Sequence, residues 1–323
     1  MVKQVEIQAA GGPEVMQLIE RDLAEPGPGM VRVANRAVGL NYIDTYHRSG
    51  LYPLPLPSGL GLEGAGVVEA VGEATDLAVG DRVAYCAAGI GAYSEAMLLP
   101  AERVVPLPEG IDFDVAAAVL LKGITVEYLL CRLFALGAGQ ATLFHAAAGG
   151  VGQLFGQWAA SLDVEVIGTA STDSKCELAL ANGYAHCLRS GQNDLVARVR
   201  EITDGAMLPV VYDGVGADTF FDSLDCLAPR GMMVSFGNAS GSPPPFDLQH
   251  LSQRGSLFIT RPSMLAYVAS VQEMRDSAAA VFSKVLDGTL QVSIAQRYPL
   301  AEVQRAHAEL QARRTVGSSL LIP

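Results

Sequence analysis

Long hydrophobic runs are missing from the sequence. The longest apolar stretch, Val115 to Leu121, is well short of the ~18 residues that suggest a membrane-spanning helix. The N-terminal residues 1–7, MVKQVEI, also lack the apolar core of a signal peptide. We therefore expect a cytoplasmic protein that has no membrane partner.

Cysteine is scarce, odd in number and widely spaced. Cys86, Cys131, Cys176, Cys187 and Cys226 form no Cys-x-x-Cys pair. A disulfide framework or a thiolate zinc site needs paired or closely spaced cysteines. The pattern argues against both and favours structural or incidental roles for all five.

Basic residues are outnumbered by acidic ones. The 323 residues include 22 Lys plus Arg and 34 Asp plus Glu, which gives a net charge of −12. An acidic surface repels phosphate backbones, so nucleic acid is an unexpected partner unless a basic patch forms locally. An anionic cofactor would likewise need a local cationic pocket. Half of the residues are hydrophobic, which is a globular composition, and the length predicts two domains.

The character of the sequence changes near residue 112. Before this point, short alternating segments separated by Gly and Pro are typical of a small barrel or sandwich. After it, strand and helix patterns alternate in a βαβ order, which predicts a parallel doubly wound sheet. The fold class is therefore α/β, with a β-rich domain and a Rossmann-type domain.

The individual elements follow from periodicity and from Gly and Pro punctuation. Predicted strands cover residues 2–9, 30–36, 66–71, 81–84, 92–99, 141–146, 164–169, 185–188, 209–213, 231–236 and 256–260. Predicted helices cover residues 113–121, 125–134, 152–161, 174–182, 194–203, 218–226 and 302–313, and a long helix ends near Leu286.

Two glycine motifs compete for the role of a dinucleotide fingerprint. The literal G-x-G-x-x-G at 59–64 follows two prolines and precedes a strand pattern, so we interpret it as a structural turn. The imperfect copy at 147–152, AAGGVG, lies between a strand and a helix. There Gly149 allows close approach of a pyrophosphate, and Gly152 allows close helix–strand packing. The helix N-terminus favours phosphate binding, although an ordinary βα turn would look similar.

The end of the next predicted strand distinguishes NADP from NAD. An NAD site usually has an Asp or Glu at this point, whereas this chain has Ala170, Ser171 and Thr172. Lys175 follows within reach of a 2′-phosphate, which favours NADPH. Two alternatives stay open: Asp173 could be a late ribose-binding acid, and Lys175 could be an ordinary solvated helix residue.

The sequence resembles NADPH:quinone oxidoreductases of the zeta-crystallin type, in the medium-chain dehydrogenase/reductase superfamily. The matching motifs occur in order through essentially the whole chain: 41–53, 80–83, 121–125, 144–152, 211–216, 235–238, 260–263 and 317–323. The resemblance implies a GroES-like catalytic domain at 1–124, to which 262–323 returns, and a Rossmann NADPH-binding domain at 125–261. It also implies a cleft between the domains and a homodimer paired through Rossmann edge strands.

The zinc alcohol dehydrogenases of the same superfamily provide a contrast. Their catalytic Cys lies in the loop that is here Gly39-Leu40-Asn41, and their Gly-His-Glu is here Gly61-Leu62-Glu63. Because two ligand positions are lost, we predict that no metal is bound. Hydride transfer to a quinone or an activated alkene, which needs less polarisation than a simple carbonyl, fits better.

The resemblance also implies a set of cofactor-binding residues. They are Asn41, Asp44, Tyr46 and Thr125 near the nicotinamide and ribose; Gly149, Gly150 and Val151 at the pyrophosphate; Ser171 and Lys175 at the 2′-phosphate; Thr169, Val215, Phe236, Gly237 and Asn238 at strand ends; Thr260 and Arg261 over the nicotinamide; and Arg313 and Gly317 near the C-terminus. Ser190 stands where relatives often have a Tyr, which puts that contact in doubt, and Arg189 could supply charge instead.

The substrate-side candidates are Asn41, Tyr46 and Tyr52. A phenol can stack on a flat quinone and donate a hydrogen bond to its oxygen, although both tyrosines could merely shape the loop. No dedicated general acid is evident in the sequence.

Three functional hypotheses follow. The first is an NADPH-dependent quinone reductase. The second is an NADPH-dependent reductase of the double bond of alkenals or enones, because it would use the same cofactor geometry. The third is a non-catalytic protein that binds NADPH or RNA.

Overall fold

The structure is a computed structural model that describes residues 1–191 and 194–323. Within it the chain forms two compact units. Unit 1 comprises Met1–Ile124, Val268–Gly288 and Val292–Pro323, and unit 2 comprises Thr125–Tyr267 and Thr289–Gln291. The domain boundaries proposed from the sequence, after residues 124 and 261, stay predictions.

The strands and helices are numbered in chain order. The strands are β1 (Val2–Ile7), β2 (Met16–Arg21), β3 (Met30–Leu40), β4 (Ser58–Gly59), β5 (Glu63–Val71), β6 (Arg82–Cys86), β7 (Ala96–Pro100), β8 (Val104–Pro106), β9 (Ala141–Phe144), β10 (Glu165–Ala170), β11 (His186–Arg189), β12 (Leu208–Asp213), β13 (Leu227–Ser235), β14 (Phe258–Thr260), β15 (Ile294–Pro299) and β16 (Ser318–Ile322). The α-helices are α1 (Tyr42–Ser49), α2 (Phe113–Glu127), α3 (Gly150–Ala160), α4 (Asp173–Ala181), α5 (Leu195–Ile202), α6 (Phe220–Asp225), α7 (Gln249–Gln253), α8 (Met264–Tyr267), α9 (Val271–Leu286) and α10 (Val303–Gln311).

Unit 1 is built on a mostly antiparallel sheet with the strand order β15-β16-β3-β5-β6-β8, in which β7 also pairs with β3. A smaller sheet has the order β2-β1-β4. The alternating apolar residues of β3 and β5 place Val33 and Val68 in a fully buried core, to which Leu321 of β16 also belongs. Strands from both ends of the chain therefore share one core.

Unit 2 contains a parallel sheet with the strand order β11-β10-β9-β12-β13-β14. This is the doubly wound order, in which the strands are added outward from β9 to one side and then from β12 to the other, so the strand order reverses between β9 and β12. Leu143, Ile167 and Val211 are fully buried on its central strands, as expected when helices cover both faces. The predicted fold class is confirmed.

The two glycine motifs have the local structures that we expected. Gly61, with φ at +90°, lies in the three-residue connection between β4 and β5, so the literal motif joins two strands and not a strand to a helix. The imperfect motif joins β9 to α3. A Cβ atom at Gly152 would lie 2.5 Å from the Ala147 carbonyl oxygen and 2.6 Å from that of Ala146, so close helix–strand packing requires glycine there.

Some predicted elements were wrong. The separate helices at 113–121 and 125–134 are instead one α-helix, α2, which is followed by a π-helical turn, Tyr128–Leu133. Gly123 does not end α2, because it allows close packing on α9: a Cβ there would lie 2.5 Å from Val281 Cγ1. The long helix that ends at Leu286 is divided into α8 and α9, since Ser270 caps a new helix start.

Several elements were not predicted. They are the helices α1 and α7, the strands β2, β8, β15 and β16, and the short strand β4. In the part of the chain that the structure describes, no helix combines the length and apolarity needed to cross a membrane.

Replacing Gly152 by Ala should destabilise unit 2. The new methyl group would overlap two backbone carbonyls, so we expect the free energy of unfolding to fall by about 1–3 kcal/mol. The single tryptophan, Trp158, is buried in α3 and reports on this unit during urea unfolding. Gly137→Ala, whose methyl group would lie 3.5 Å from Gln140 Oε1, is the control and should change stability by less than about 1 kcal/mol. Equal effects of the two substitutions would contradict the packing role.

Candidate active site

The carboxyl ends of the parallel strands lie along one edge of the sheet in unit 2. Phe144 of β9 is level with Gly168 of β10 and with Tyr212 of β12, and Asp213 is level with Ser235 of β13. Ligands of doubly wound sheets bind outside this edge. The predicted cofactor residues that follow the strands therefore share it: Gly149–Val151, Ser171, Ser190, Val215, Phe236–Asn238 and Arg261.

The glycine-rich turn after β9 is fixed by backbone hydrogen bonds. The Ala147 N–H donates to the Thr169 carbonyl at 2.9 Å, and the Gly149 N–H donates to the Ala146 carbonyl at 3.0 Å. Gly149 is the N-cap of α3, and Gly149, Gly150 and Val151 are partly exposed. The first N–H groups of α3 have no acceptor within the helix, and the helix dipole favours an anion at this end.

The residues after β10 form the start of α4. The Thr172 hydroxyl accepts a hydrogen bond from the Lys175 N–H at 3.3 Å and caps the helix. Ser171 and Ser190 are exposed, and Lys175 is partly exposed in the first turn. Asp173, the alternative ribose-binding acid, is 3.0 Å from the Arg189 guanidinium. Lys175 and Arg189 therefore both lie close to the end of β10. Asp173, in the first turn of α4, is paired with Arg189.

Asp213 organises the turn that carries Val215. Its fully buried carboxylate accepts hydrogen bonds from the Val215 and Gly216 N–H groups at 2.8 and 2.9 Å. The hydroxyls of Thr219 and Ser223 both donate to it at 2.7 Å. A buried carboxylate with four donors is well satisfied, so the turn after β12 is held rigidly.

Thr169 serves the core of unit 2 through its side chain. It is buried, and its hydroxyl lies 2.9 Å from His145 Nδ1, while His145 Nε2 lies 3.0 Å from the Ser223 hydroxyl. Burial lowers the pKa of His145, so its ring is neutral. His145 is therefore a buried, hydrogen-bonded residue of the core.

Arg261 fixes the loop after β13. Its guanidinium donates to the carbonyls of Ser235 and Gly237, both at 2.9 Å. With its amide in the orientation that satisfies both neighbours, Asn238 donates to the Gly237 carbonyl at 2.8 Å and accepts from Arg261 at 3.2 Å. Phe236 is partly exposed beside them, and Thr260 ends β14. Five predicted residues thus form one connected loop cluster.

The predicted residues of unit 1 begin at the end of β3. Asn41 is the N-cap of α1, and its N–H donates to Asp44 Oδ2 at 2.9 Å in a capping box. Both side chains are buried, with Asn41 only 4% exposed and Asp44 not exposed at all. The loop is therefore set by hydrogen bonds within the protein.

Glu63 anchors Asn41 from β5. Its Oε2 accepts a hydrogen bond from Asn41 Nδ2 at 2.8 Å, and its Oε1 accepts from the Leu121 N–H at 2.7 Å. Lys122 Nζ lies 3.6 Å from Oε2 as an ion pair. Burial raises the pKa of Glu63, and the Lys122 charge opposes this shift. Sequence analysis did not assign Glu63 or Lys122 to the site, although both lie in its motifs at 61–63 and 121–125.

A buried hydrogen-bond chain continues from Asp44. Tyr93 donates to Asp44 Oδ2 at 2.8 Å and lies 3.0 Å from His307 Nε2, and Arg48 lies 3.2 Å from His307 Nδ1. An Arg guanidinium can only donate, so Nδ1 accepts and Nε2 carries the hydrogen that is donated to Tyr93. Burial and Arg48 lower the pKa of His307 to about 3, and burial raises the pKa of Asp44 to about 7. No signal in the sequence placed Tyr93 and His307 beside Asp44.

Three tyrosines cluster around α1. The Tyr46 ring lies 5.2 Å from Tyr52 in an edge-on contact and 5.6 Å from Tyr42. The Tyr52 N–H donates to the Tyr46 carbonyl at 3.1 Å, which sets the loop after α1. Tyr46 is 8% exposed and Tyr52 is partly exposed, so the structure brings the two predicted substrate-side phenols together.

The remaining predicted residues lie elsewhere. Arg313 is exposed in unit 1, and its charge lowers the pKa of Tyr42 against the raising effect of burial. Gly317, with φ at +60°, precedes β16. Thr125 is a buried residue of α2 and the first residue of unit 2. Across residues 1–191 and 194–323, no three His, Cys, Asp or Glu side chains are grouped so as to hold a metal ion.

Comparison with known proteins gives a consistent result. Residues 27–109 match the alcohol dehydrogenase GroES-like domain, and residues 150–280 match the zinc-binding dehydrogenase family. A quinone oxidoreductase of Pseudomonas aeruginosa is 53% identical over 100% of both chains. A 2-haloacrylate reductase of a Burkholderia species is 42% identical over 100% of this chain and 99% of its own. The crystal structure of Escherichia coli quinone oxidoreductase complexed with NADPH is 46% identical, with a TM-score of 0.98 over 99% of this chain and 100% of its own.

The GroES-like and Rossmann-type architecture, with its glycine turn at the sheet edge, defines a medium-chain dehydrogenase/reductase. Within this superfamily the chain belongs to the quinone oxidoreductase family, as the full-length similarity shows.

The Asp44 carboxyl predicts a specific pH dependence of stability. Its folded pKa of about 7 lies above the ordinary value of 3.8, so its contribution to stability is lost as the pH rises through this range. Asp44→Asn has no proton to lose. The free energy of unfolding of the variant should therefore rise relative to the native protein by about 3 kcal/mol between pH 5 and 8.

Urea unfolding followed by circular dichroism at several pH values measures this difference. Asp22→Asn, which removes a carboxylate that is 85% exposed, controls for the loss of one negative charge. Parallel pH profiles for Asp44→Asn and the native protein would show that Asp44 has no such role.

Proposed function

We propose that this protein reduces quinones with NADPH. The observation that carries the proposal is the arrangement at the end of β10, where Ser171 and Lys175 follow the strand next to β9, which carries the glycine turn, and Asp173 is paired with Arg189. A cation and hydroxyls at this strand end suit a 2′-phosphate, whereas NAD sites place a carboxylate there. The relatives named as quinone oxidoreductases, one of them complexed with NADPH, support the same function.

The residues of unit 2 fit the nucleotide. The N-terminus of α3 with Gly149, Gly150 and Val151 would hold the pyrophosphate, because its N–H groups need acceptors and its dipole favours an anion. Ser171 and Lys175 would hold the 2′-phosphate, with Ser190 beside them. The loops that carry Val215, Phe236, Gly237, Asn238, Thr260 and Arg261 would line the rest of the cofactor. Thr169 would support the turn through its carbonyl.

The residues of unit 1 suit the other reactants. The proposed contacts to the nicotinamide and ribose are Asn41, Asp44, Tyr46 and Thr125, and Arg313 and Gly317 would complete the binding residues. Asn41, Tyr46 and Tyr52 would contact the quinone, since two neighbouring phenols offer aromatic faces and hydrogen-bond donors. Bound NADPH supplies the hydride; the side chains orient the acceptor and exclude water.

A second candidate function is the reduction of an activated carbon–carbon double bond. The relative named as a 2-haloacrylate reductase favours it, because its similarity also covers the whole of this chain. No residue of the candidate site decides between the two acceptors. Turnover with 1,4-naphthoquinone and with an enone at equal concentration would decide: we expect the quinone to be reduced faster.

Anaerobic oxidation of NADPH by 1,4-naphthoquinone, with NADH in parallel, tests the proposal. We expect NADPH to be oxidised faster than NADH at the same low concentration. Lys175→Met should weaken NADPH binding by about tenfold or more, because a hydrogen bond between charged groups is lost, and should leave NADH binding unchanged. Fluorescence titration of each cofactor gives the dissociation constants.

Lys284→Met is the matched control, since this lysine lies on α9 and pairs with Asp287. Equal use of NADH and NADPH by the native protein would contradict the 2′-phosphate role. No oxidation of either cofactor by quinone would overturn the proposed reaction itself.

We also propose that two copies pair through the edge of the parallel sheet. β14 ends the strand order of unit 2, and Phe258 on it is 58% exposed. An open strand edge with an exposed aromatic residue favours pairing with another strand. We propose a cytoplasmic location, which is supported by the absence of any disulfide among the five cysteines.

Phe258→Asp should convert a dimer into monomers in sedimentation velocity. The carboxylate would be unfavourable at a packed strand edge. Val79→Asp, at a residue of unit 1 that is 63% exposed, should leave the sedimentation coefficient unchanged. A native protein that sediments as a monomer would contradict the proposed pairing.

A further inference from the structure

Lys122 has a buried ammonium group whose hydrogen-bonding capacity the protein leaves unused. Its side chain is only 7% exposed, and Nζ has no hydrogen-bond partner anywhere in residues 1–191 and 194–323. The distance of 3.6 Å to Glu63 Oε2 is longer than a hydrogen bond. An ammonium group has three donors, and burying such donors without acceptors is unfavourable. A hydrogen-bond acceptor on a bound molecule would satisfy the Lys122 ammonium group.

Glu63 forms an ion pair with Lys122 at 3.6 Å, which is too long for a hydrogen bond from the Lys122 N–H groups. The two oxygens of Glu63 already accept hydrogen bonds from the Asn41 amide and the Leu121 N–H. Asn41 Nδ2 and Lys122 Nζ face the same oxygen, Oε2, at 2.8 and 3.6 Å. One buried carboxylate thus places an ammonium group beside the side chain of Asn41, which is a candidate substrate contact.

We propose that Lys122 is a catalytic residue whose ammonium group donates a hydrogen bond to a carbonyl oxygen of the bound quinone. The inference rests on the proposed function. The hydride of NADPH forms an O–H bond at the other carbonyl oxygen of the quinone, NADPH becomes NADP⁺, and the displaced π electrons make the ring aromatic and leave the negative charge on the oxygen that Lys122 contacts. A proton from water then completes the hydroquinone. The hydrogen bond from Lys122 strengthens as negative charge develops on the oxygen.

Burial is what makes this role effective. A fixed cation in a water-excluded site stabilises developing negative charge more strongly than it would in water. Because Glu63 is bound on both oxygens, it keeps Lys122 and Asn41 in place during the reaction. The competing explanation is that Lys122 only neutralises Glu63.

Binding of an anionic quinone in the absence of NADPH separates these explanations. The probe is 2-hydroxy-1,4-naphthoquinone, which is ionised at neutral pH and carries its negative charge on oxygen. Lys122→Met should weaken its binding by about tenfold or more, the size of a hydrogen bond between charged groups, and should weaken binding of neutral 1,4-naphthoquinone much less. Equilibrium dialysis read by absorbance gives both dissociation constants.

Two further variants control for structural damage, because Lys122→Met leaves Glu63 buried without its counter-charge. The double variant Glu63→Gln/Lys122→Met removes both charges. Its affinity for the anionic probe should fall by the same factor as that of Lys122→Met. Glu63→Gln alone keeps the ammonium group but removes a carboxylate that positions it, so it should keep part of the preference for the anion. Thermal unfolding verifies that each variant is folded.

The inference is overturned if Lys122→Met binds the anionic and neutral probes as the native protein does. It is also overturned if Glu63→Gln loses the anion as fully as Lys122→Met, since Lys122 then acts only through the pair. In turnover with 1,4-naphthoquinone, kcat should fall by about tenfold or more in Lys122→Met with an unchanged KM for NADPH. Absence of turnover by the native protein would refute the proposed function, whereas equal turnover by Lys122→Met would refute only the role of Lys122.

Discussion

A carboxylate that is buried away from water needs hydrogen-bond donors from the protein. In unit 1 the buried carboxylate of Glu63 receives them from several elements. One oxygen accepts a hydrogen bond from the Asn41 side-chain amide after β3, and the other accepts one from the Leu121 N–H of α2. The Lys122 ammonium group lies 3.6 Å from Oε2. A strand, a loop and a helix are thereby fixed to one point. Asp44 is a second buried carboxyl group beside Asn41, and the Asn41 N–H and the Tyr93 hydroxyl both donate to its Oδ2. The positions of the candidate substrate residues therefore depend on buried charge.

Unit 2 positions its candidate residues by different means. Its strands are parallel, so their carboxyl ends meet at one edge whatever side chains they carry. Close backbone contact at Gly152 then sets how near α3 approaches the sheet. Asp213 and Arg261 hold the loops that follow β12 and β13. Topology places the candidate cofactor loops, and a few buried polar groups hold them.

The parts of the structure that local pattern determines were predictable. The βαβ order and the glycine turn at 147–152 depend on periodicity and on residues close in sequence, so the parallel sheet was confirmed. The break predicted between residues 121 and 125 was wrong, and the glycine in it, Gly123, allows close packing on Val281, which is far away in sequence. Glu63, Lys122 and His307 were missed because long-range pairing defines them. The family motifs drew attention to Asn41, Tyr46 and Tyr52, whose catalytic roles stay predictions.

The composition of unit 1 from both ends of the chain imposes an order on folding during synthesis. Every strand of the parallel sheet has been synthesised once residue 260 is made. The larger sheet of unit 1 is complete only after β16, which pairs with β3, has been made. The buried hydrogen bonds that link Asp44, Tyr93, His307 and Arg48 likewise form only after His307 has been made. The first 124 residues therefore spend most of translation with an incomplete core. During this interval the open edge of β3 is exposed to chaperones and to other nascent chains.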